Sequence, residues 1–351
     1  MFHFFVTHLS RDSHLTREED GTASMRVDFT DHGYYLPEID LWLDCTEDCG
    51  TNWISHGHSD HARGLHSRVF STPETAQVYR MRVPEADEAF NTEPLPEQHN
   101  GARLTAFPAS HIVGAAQLLV EYRGERLVYT GDIKLRPPIC GATTEIVPCD
   151  RLIIESTFGL PIYKFLDREQ ARIRIVEAAA QALDEGLSPV FIGYPLGRGQ
   201  EIAHVLCEAG ISTAVHGSIA RFIPLYERAG YAFPGWRPYA SGDTEGRALV
   251  VTPDFRNVLE ASGKTIRIVY VSGWAALDNA RARTGADELI PYSDHADFAE
   301  LLEMVERSGA REVDVVHGYT EPFAKILRAR GLDARAPLAV TARGALDSVE
   351  G

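Results

Sequence analysis

The chain has 351 residues, 34 Lys and Arg against 50 Asp and Glu, and a formal net charge of −16. That length suggests two domains, or one with a large insertion, and no apolar run approaches the ~18 residues of a membrane span. The acidic balance argues against a protein that coats nucleic acid, since phosphate binding usually leaves a basic footprint. Only four of the basic residues are lysines (Lys134, Lys164, Lys264, Lys325), which leaves 30 arginines. Arginine is the better fork for phosphate oxygens, although GC-rich codon usage produces the same bias. The start, MFHFFVTHLSRDSH, lacks the basic opening and apolar run of a signal peptide, so a cytoplasmic location is expected. Cys45, Cys49, Cys140, Cys149 and Cys207 form no disulfide-dense pattern. Cys45 and Cys49 resemble half a zinc site without a second cysteine pair, and are read as thiols.

Residues 1–24 are polar and weakly patterned, an N-terminal extension. From 25 to 159 the chain reads as short strands and turns, with apolar stretches at 41–43, 53–54, 68–70, 104–107, 118–122, 126–129 and 152–154. After Gly159 the texture changes. A helix is expected from an N-cap at Asp167 to about Glu185, then a strand at 189–194 and a helix at 199–209. A strand at 213–216 and a helix at 219–229 continue this βαβ rhythm, which implies a small parallel sheet flanked by helices. Residues 231–246 read as loop, 265–271 as a strand, 298–307 and 322–330 as helices flanking a strand at 313–316.

Residues 53–55 lead directly into His56-Gly57-His58-Ser59-Asp60-His61. A spacing of two in extended chain sends His56 and His58 to one side. Asp60 and His61 fall where Ala62-Arg63-Gly64-Leu65 suggests a helix start, so the turn aims them at a second point nearby. One segment can thus serve two metal ions with imidazole and carboxylate ligands suited to Zn²⁺, and Mn²⁺ can occupy the same donors. Further ligands stand at strand ends: His111 after 104–109, Asp132 after 127–130, and His317 after 313–316. A carboxylate such as Asp132 can bridge two ions. Seven other histidines, His66 among them, receive no role.

This pattern resembles the metallo-β-lactamase fold superfamily, with its HxHxDH signature and separate His, Asp and His ligands. The resemblance implies two Zn²⁺ ions. One would take His56, His58 and His111, the other Asp60, His61 and His317, with Asp132 bridging and Asp44 supporting the metal loop. In the second half, Glu155-Ser156-Thr157, Gly197-Arg198-Gly199, Ser293-Asp294-His295-Ala296-Asp297 and Val316-His317-Gly318 resemble the motifs of the β-CASP branch, whose members are nucleases of RNA or DNA. The implied fold is α/β: a metallo-β-lactamase αββα sandwich over 25–159 and 263–351, with an inserted β-CASP cap, a small parallel α/β sheet, at 160–262. Residues 215–219 (VHGSI) and 271–274 (VSGW) look most like the DNA ligase-associated exonucleases, some of which are called mRNA 3′-end processing factors.

The resemblance implies a nucleic-acid substrate, single-stranded DNA ahead of RNA, and a DNA ligase or helicase as partner. Two metals suit in-line hydrolysis of a phosphodiester. Asp60, His295 and Glu155 form the expected catalytic set, with His295 serving the leaving oxygen and Glu155 orienting a histidine. Substrate contacts are expected from Arg198, His216, Ser218 and Ser293, and from Arg221 beside the cleft. The alternatives are an RNA-processing β-CASP ribonuclease, a small-molecule metallohydrolase such as a thioesterase or lactonase, and a non-catalytic nucleic-acid-binding subunit.

Overall fold

The computed structural model describes residues 24–85, 92–240, 246–255 and 265–338, so all but the last residue of the expected extension lies outside the described residues. Three sheets organise the chain. The central one has seven strands in the order Asp333–Arg335, Glu312–Gly318, Arg151–Ser156, Glu125–Tyr129, Ala116–Tyr122, Ala102–Pro108 and Gln98–His99. Its inner strands alternate between two cores. Leu127, Tyr129, Ile153 and Val316 enter one, while Val128, Leu152, Ile154, Val313 and Val315 enter the other. Successive side chains of a strand point to opposite faces, so a strand apolar throughout needs cover on both.

One face is covered by helices Phe298–Ser308 and Thr320–Ala329 through Leu301, Met304, Val305, Phe323 and Leu327. The other packs on a six-stranded sheet running from Asp28–Thr30 to Thr92–Pro94, through Leu36, Leu41, Leu43, Trp53 and Phe70. Helix Pro73–Arg82 covers the far side of that sheet, where Tyr79 meets Ile54 and Val69. The layers are helix, sheet, sheet, helix, the αββα sandwich.

The third sheet is wholly parallel: Arg237–Pro238, Thr213–Val215, Ala248–Val251, Ser188–Ile192, Ile266–Val271 and Glu288–Ile290. Helix Arg168–Asp184 starts at Asp167 as expected, in a capping box where Asp167 Oδ1 accepts from Gln170 N at 2.8 Å and Gln170 Oε1 from Asp167 N at 3.1 Å. This sheet corrects the cap boundary. Residues from 263 were assigned to the sandwich, yet Ile266–Val271 pairs with Ser188–Ile192, and Glu288–Ile290 pairs with Ile266–Val271. The return to the sandwich follows Ile290.

Other elements differ from expectation for local reasons. The helix expected at 219–229 is two short ones, Gly217–Ala220 and Ile223–Arg228, because Pro224 has no N–H to continue the ladder. Ala62–Leu65 forms no helix; His61 N and Ala62 N bond back to His58 O at 3.2 and 2.7 Å, a single turn. Arg237–Pro238, inside the expected loop, pairs with Thr213–Val215. Residues 241–245 of that loop lie outside the described residues.

Candidate metal centre

Strands Ala102–Pro108, Glu125–Tyr129, Arg151–Ser156 and Glu312–Gly318 run in one direction, so their C-terminal ends share one edge of the sandwich. His111, Asp132, Glu155 and His317 stand on that edge, opposite the loop that carries His56 to His61. Three non-glycine residues there hold positive φ: Asp44 (48°), Ser110 (58°) and His317 (51°). Such conformations cost energy and persist where surrounding structure imposes them. Gly131 (φ 55°) meets the same demand without a side chain, since a Cβ there would lie 2.5 Å from Ser55 Oγ. This close approach brings Asp132 to the histidine loop.

Asp44 organises that loop. Its Oδ1 accepts from Ser55 N at 2.7 Å, and its Oδ2 accepts from Ser55 Oγ (2.5 Å), Tyr129 Oη (2.6 Å) and His61 Nδ1 (2.7 Å). His61 therefore carries its proton on Nδ1 and turns Nε2 toward Asp132 Oδ2 at 3.6 Å and Asp60 Oδ2 at 3.7 Å. Ser55 Oγ, having donated to Asp44, accepts from His56 Nδ1 at 3.0 Å. That leaves His56 Nε2 buried with no hydrogen bond, 3.4 Å from Asp132 Oδ2.

The remaining imidazoles follow the same logic. A backbone carbonyl only accepts, so His58 Nε2 donates to Leu196 O (3.0 Å) and His111 Nδ1 to Asp294 O (2.9 Å). Their other nitrogens, His58 Nδ1 and His111 Nε2, face each other at 3.0 Å with a lone pair each. Burial pushes both rings below the usual histidine range, and His56 also. Three neutral imidazoles and the Asp132 carboxylate thus aim donor atoms at one point, all within 4.8 Å of one another. Facing lone pairs repel unless a cation lies between them, so this donor set fits a metal ion. Fixing the non-ligating nitrogen by a carbonyl or carboxylate is the usual device for metal-binding histidines.

The second group is looser. Burial pushes the Asp132 carboxyl up to about 7 against the pull of His61. The carboxylates of Asp132, Asp60 and Asp44 outweigh burial at His61 and raise it to about 10. Asp60 is largely exposed. The ring of His317 lies 5.2 Å from that of His61, and its Nε2 is 3.0 Å from Tyr34 Oη. His317 therefore stands at the margin of this group, held by a tyrosine that sequence reasoning missed.

His295 arrives from the segment after the cap. Its Nδ1 donates to Glu155 Oε1 at 2.8 Å, and its ring lies 4.5 Å from that of His111. Glu155, fully buried, also accepts from Ile133 N (2.9 Å) and Thr157 N (3.1 Å). Burial alone would raise this carboxyl; the His295 imidazolium and the three hydrogen bonds hold it at about 2. Burial likewise opposes charge on His295, but Glu155 and Asp132 push the ring up to about 9. Lys134, unassigned by sequence, is buried and donates to the Ser293 carbonyl with its ammonium over the Tyr292 ring at 3.8 Å. Asp297, last residue of that motif, caps helix Phe298–Ser308.

The expected substrate contacts divide. Arg198 is 3% exposed and ion-paired with Asp294, so it braces the His111 and His295 segments where a phosphate contact was expected. Ser293 is fully buried and accepts from His295 N, which places it beneath the site. His216 Nδ1 and Ser218 Oγ bond each other at 2.8 Å, and the His216 ring packs on Phe255. Arg221 does line a cleft of about 520 Å³, with Arg63 and Arg82, beside Asp60. Phe233 is buried in the cap core, against which Trp236 packs.

No family model matches the chain. It is 33% identical over 311 residues to a probable DNA ligase of Opitutus terrae, covering 86% of this chain and 30% of that protein. It is 30% identical over 213 residues to cleavage and polyadenylation specificity factor subunit 3 of Dictyostelium discoideum, covering 50% of this chain and 26% of that protein. With endoribonuclease YSH1 of Candida glabrata it shares 32% over 196 residues, 44% of this chain and 25% of the relative. The chain thus spans less than a third of the length of these relatives. A crystal structure of a protein of unknown function from Enterococcus faecalis superposes with a TM-score of 0.54 at 15% identity, over 76% of this chain and 75% of that one, and supports the fold alone. Sandwich, cap and histidine loop define a metallo-β-lactamase fold. Within that fold, the chain belongs to the β-CASP group.

Proposed function

We propose that the chain is a two-metal-dependent phosphodiesterase acting on nucleic acid, in the first instance a DNA exonuclease that works beside a DNA ligase in repair. The observation that carries this reading is the set of donor nitrogens on His56, His58 and His111, converging with Asp132 next to an arginine-lined cleft. His56, His58, His111 and Asp132 would hold one ion; Asp132, Asp60, His61 and His317 would hold the other, as Zn²⁺ or Mn²⁺. Bound there, the ions supply positive charge to a phosphoryl transition state and lower the pKa of the attacking water.

The chain's own residues perform the rest. Arg63, Arg82 and Arg221 receive the phosphate backbone and set its register. Glu155 accepts the Nδ1 proton of His295 and its charge favours the imidazolium, so that Nε2 also holds a proton for the leaving oxygen. Arg198 and Asp294 lock the backbone from which His111 and His295 hang. The relatives named as an endoribonuclease and a cleavage factor favour RNA as the second reading, and the probable DNA ligase favours DNA. A time course on 5′- and 3′-labelled single strands of DNA and RNA, with the metal-loaded protein, tests the proposal. Progressive shortening of DNA from one end is expected. Internal cuts in RNA alone would favour the second reading, and no cleavage of either at confirmed metal occupancy would refute both.

A further inference from the structure

Cys45 and Cys49 offer two thiols four residues apart, and the fold supplies a third donor from elsewhere. Thr51–Trp53 and Arg68–Ser71 are parallel neighbours with Thr51 opposite Arg68. Extending that register two residues backwards sets Cys49 beside His66. The two lead-in segments are laced together: Ser67 N donates to Cys49 O at 3.0 Å, and Leu65 N to Asp48 Oδ1 at 2.7 Å. Gly64 (φ 81°) permits the approach, because a Cβ there would lie 2.7 Å from Glu47 O.

The result is a compact donor cluster. Cys49 Sγ is 3.1 Å from His66 Nδ1, and ligand atoms of Cys45, Cys49 and His66 all lie within 4.8 Å of one another. His66 Nε2 is 2.9 Å from the Arg63 carbonyl, which anchors the ring by that nitrogen and turns Nδ1 to the thiols. The Asn52 amide packs on the same Nε2 at 3.1 Å while bonding both the N–H and the carbonyl of Cys45. In a tetrahedral zinc site with ordinary bond lengths, S···S and S···N separations are about 3.5–3.8 Å. The separations here, 3.1 Å from Cys49 Sγ to His66 Nδ1 and at most 4.8 Å between any two donors, bracket that range.

We propose that Cys45, Cys49 and His66 form a separate binding site for one thiophilic divalent cation, Zn²⁺ by ligand type, outside the histidine–aspartate centre. Three protein donors leave the fourth position to water at the partly exposed Cys49. Cys45 adjoins Asp44, so the ion would brace the loop that presents Asp44 to Ser55 and His61.

Cobalt tests this independently of any nuclease activity. The histidine–aspartate centre contains no sulfur, so a thiolate-to-cobalt charge-transfer band reports the cysteine cluster alone. In the reduced protein loaded with Co²⁺, a band whose plateau corresponds to one cobalt–thiolate centre per chain is expected, unchanged by His56→Ala and abolished by Cys49→Ser. Because the band is read on the unsubstituted chain, misfolding of a variant does not decide the result. Absence of the band in reduced protein that binds Co²⁺ would overturn the proposal. So would uptake of no metal by these thiols because they close as a Cys45–Cys49 disulfide that re-forms after reduction, as seen by intact mass.

Discussion

At the scale of single residues, the site works by assigning protons. Asp44 takes four hydrogen bonds, and through them the nitrogens that His61 and His56 turn toward Asp132 are decided. Removing it leaves each ring able to flip tautomer. Asp44→Ala is therefore expected to weaken metal binding by about 10–100-fold, measured by competition with a chromophoric chelator. His295 is expected to act on chemistry instead of metal retention. His295→Ala should lower kcat by roughly 10²–10⁴-fold with metal content unchanged, as read by single-turnover cleavage and metal analysis. The histidine and carboxylate groups that gather here were legible because HxHxDH crowds six positions and the others close apolar strands. Tyr129, Tyr34, Ser55 and Lys134 were not, because a tyrosine or serine in a strand reads as packing until the fold brings a partner. His66 was invisible for the same reason: the thiols it faces, Cys49 and Cys45, lie 17 and 21 residues away and meet it through strand register.

Among elements, strand direction matters most. Four strands pointing the same way deliver their last residues to one edge, and the strand-end positions of His111, Asp132 and His317 were readable in sequence while their common edge was not. The helix start at Asp167 was equally readable from its capping residue, whereas Asp297, read only as part of the Ser293–Asp297 motif, proves to cap helix Phe298–Ser308. Asp297 Oδ1 accepts from Ala299 N and Glu300 N at 3.0 Å each, while Glu300 Oε2 accepts from Asp297 N at 3.0 Å. Asp297→Ala should cost about 1 kcal/mol, seen as a lower denaturant midpoint at constant m. Helix Pro73–Arg82 escaped notice because PETAQVYRMR carries too few apolar residues to show a helical stripe. The cap boundary was misplaced because a parallel strand such as Ile266–Val271 does not reveal in sequence which sheet it joins. Its hydrogen bonds to Ser188–Ile192 settle the matter.

On the scale of the whole molecule, a net charge of −16 and the proposed nucleic-acid substrate are reconciled by confinement. Burial holds Asp44, Asp132 and Glu155 inside the site, while Arg63, Arg82 and Arg221 gather at its mouth. Such a surface grips a strand at few phosphates. Three phosphate contacts predict a slope of about −2 in log K against log salt for a single strand, and Arg221→Ala should reduce it by about 0.7. Fluorescence anisotropy across a salt series measures both. Among the described residues no helix is long and apolar enough to cross a membrane.

The central claim is that two ions at one histidine–aspartate centre cut a phosphodiester. It is tested most directly by titrating metal back into the metal-free protein while following cleavage of a labelled single strand. The titration is best done on protein carrying Cys49→Ser, which removes the thiol cluster from the count. Cleavage should rise to a plateau as the second equivalent binds and vanish again with a chelator. Full occupancy without cleavage, or full activity with one ion bound, would contradict the account.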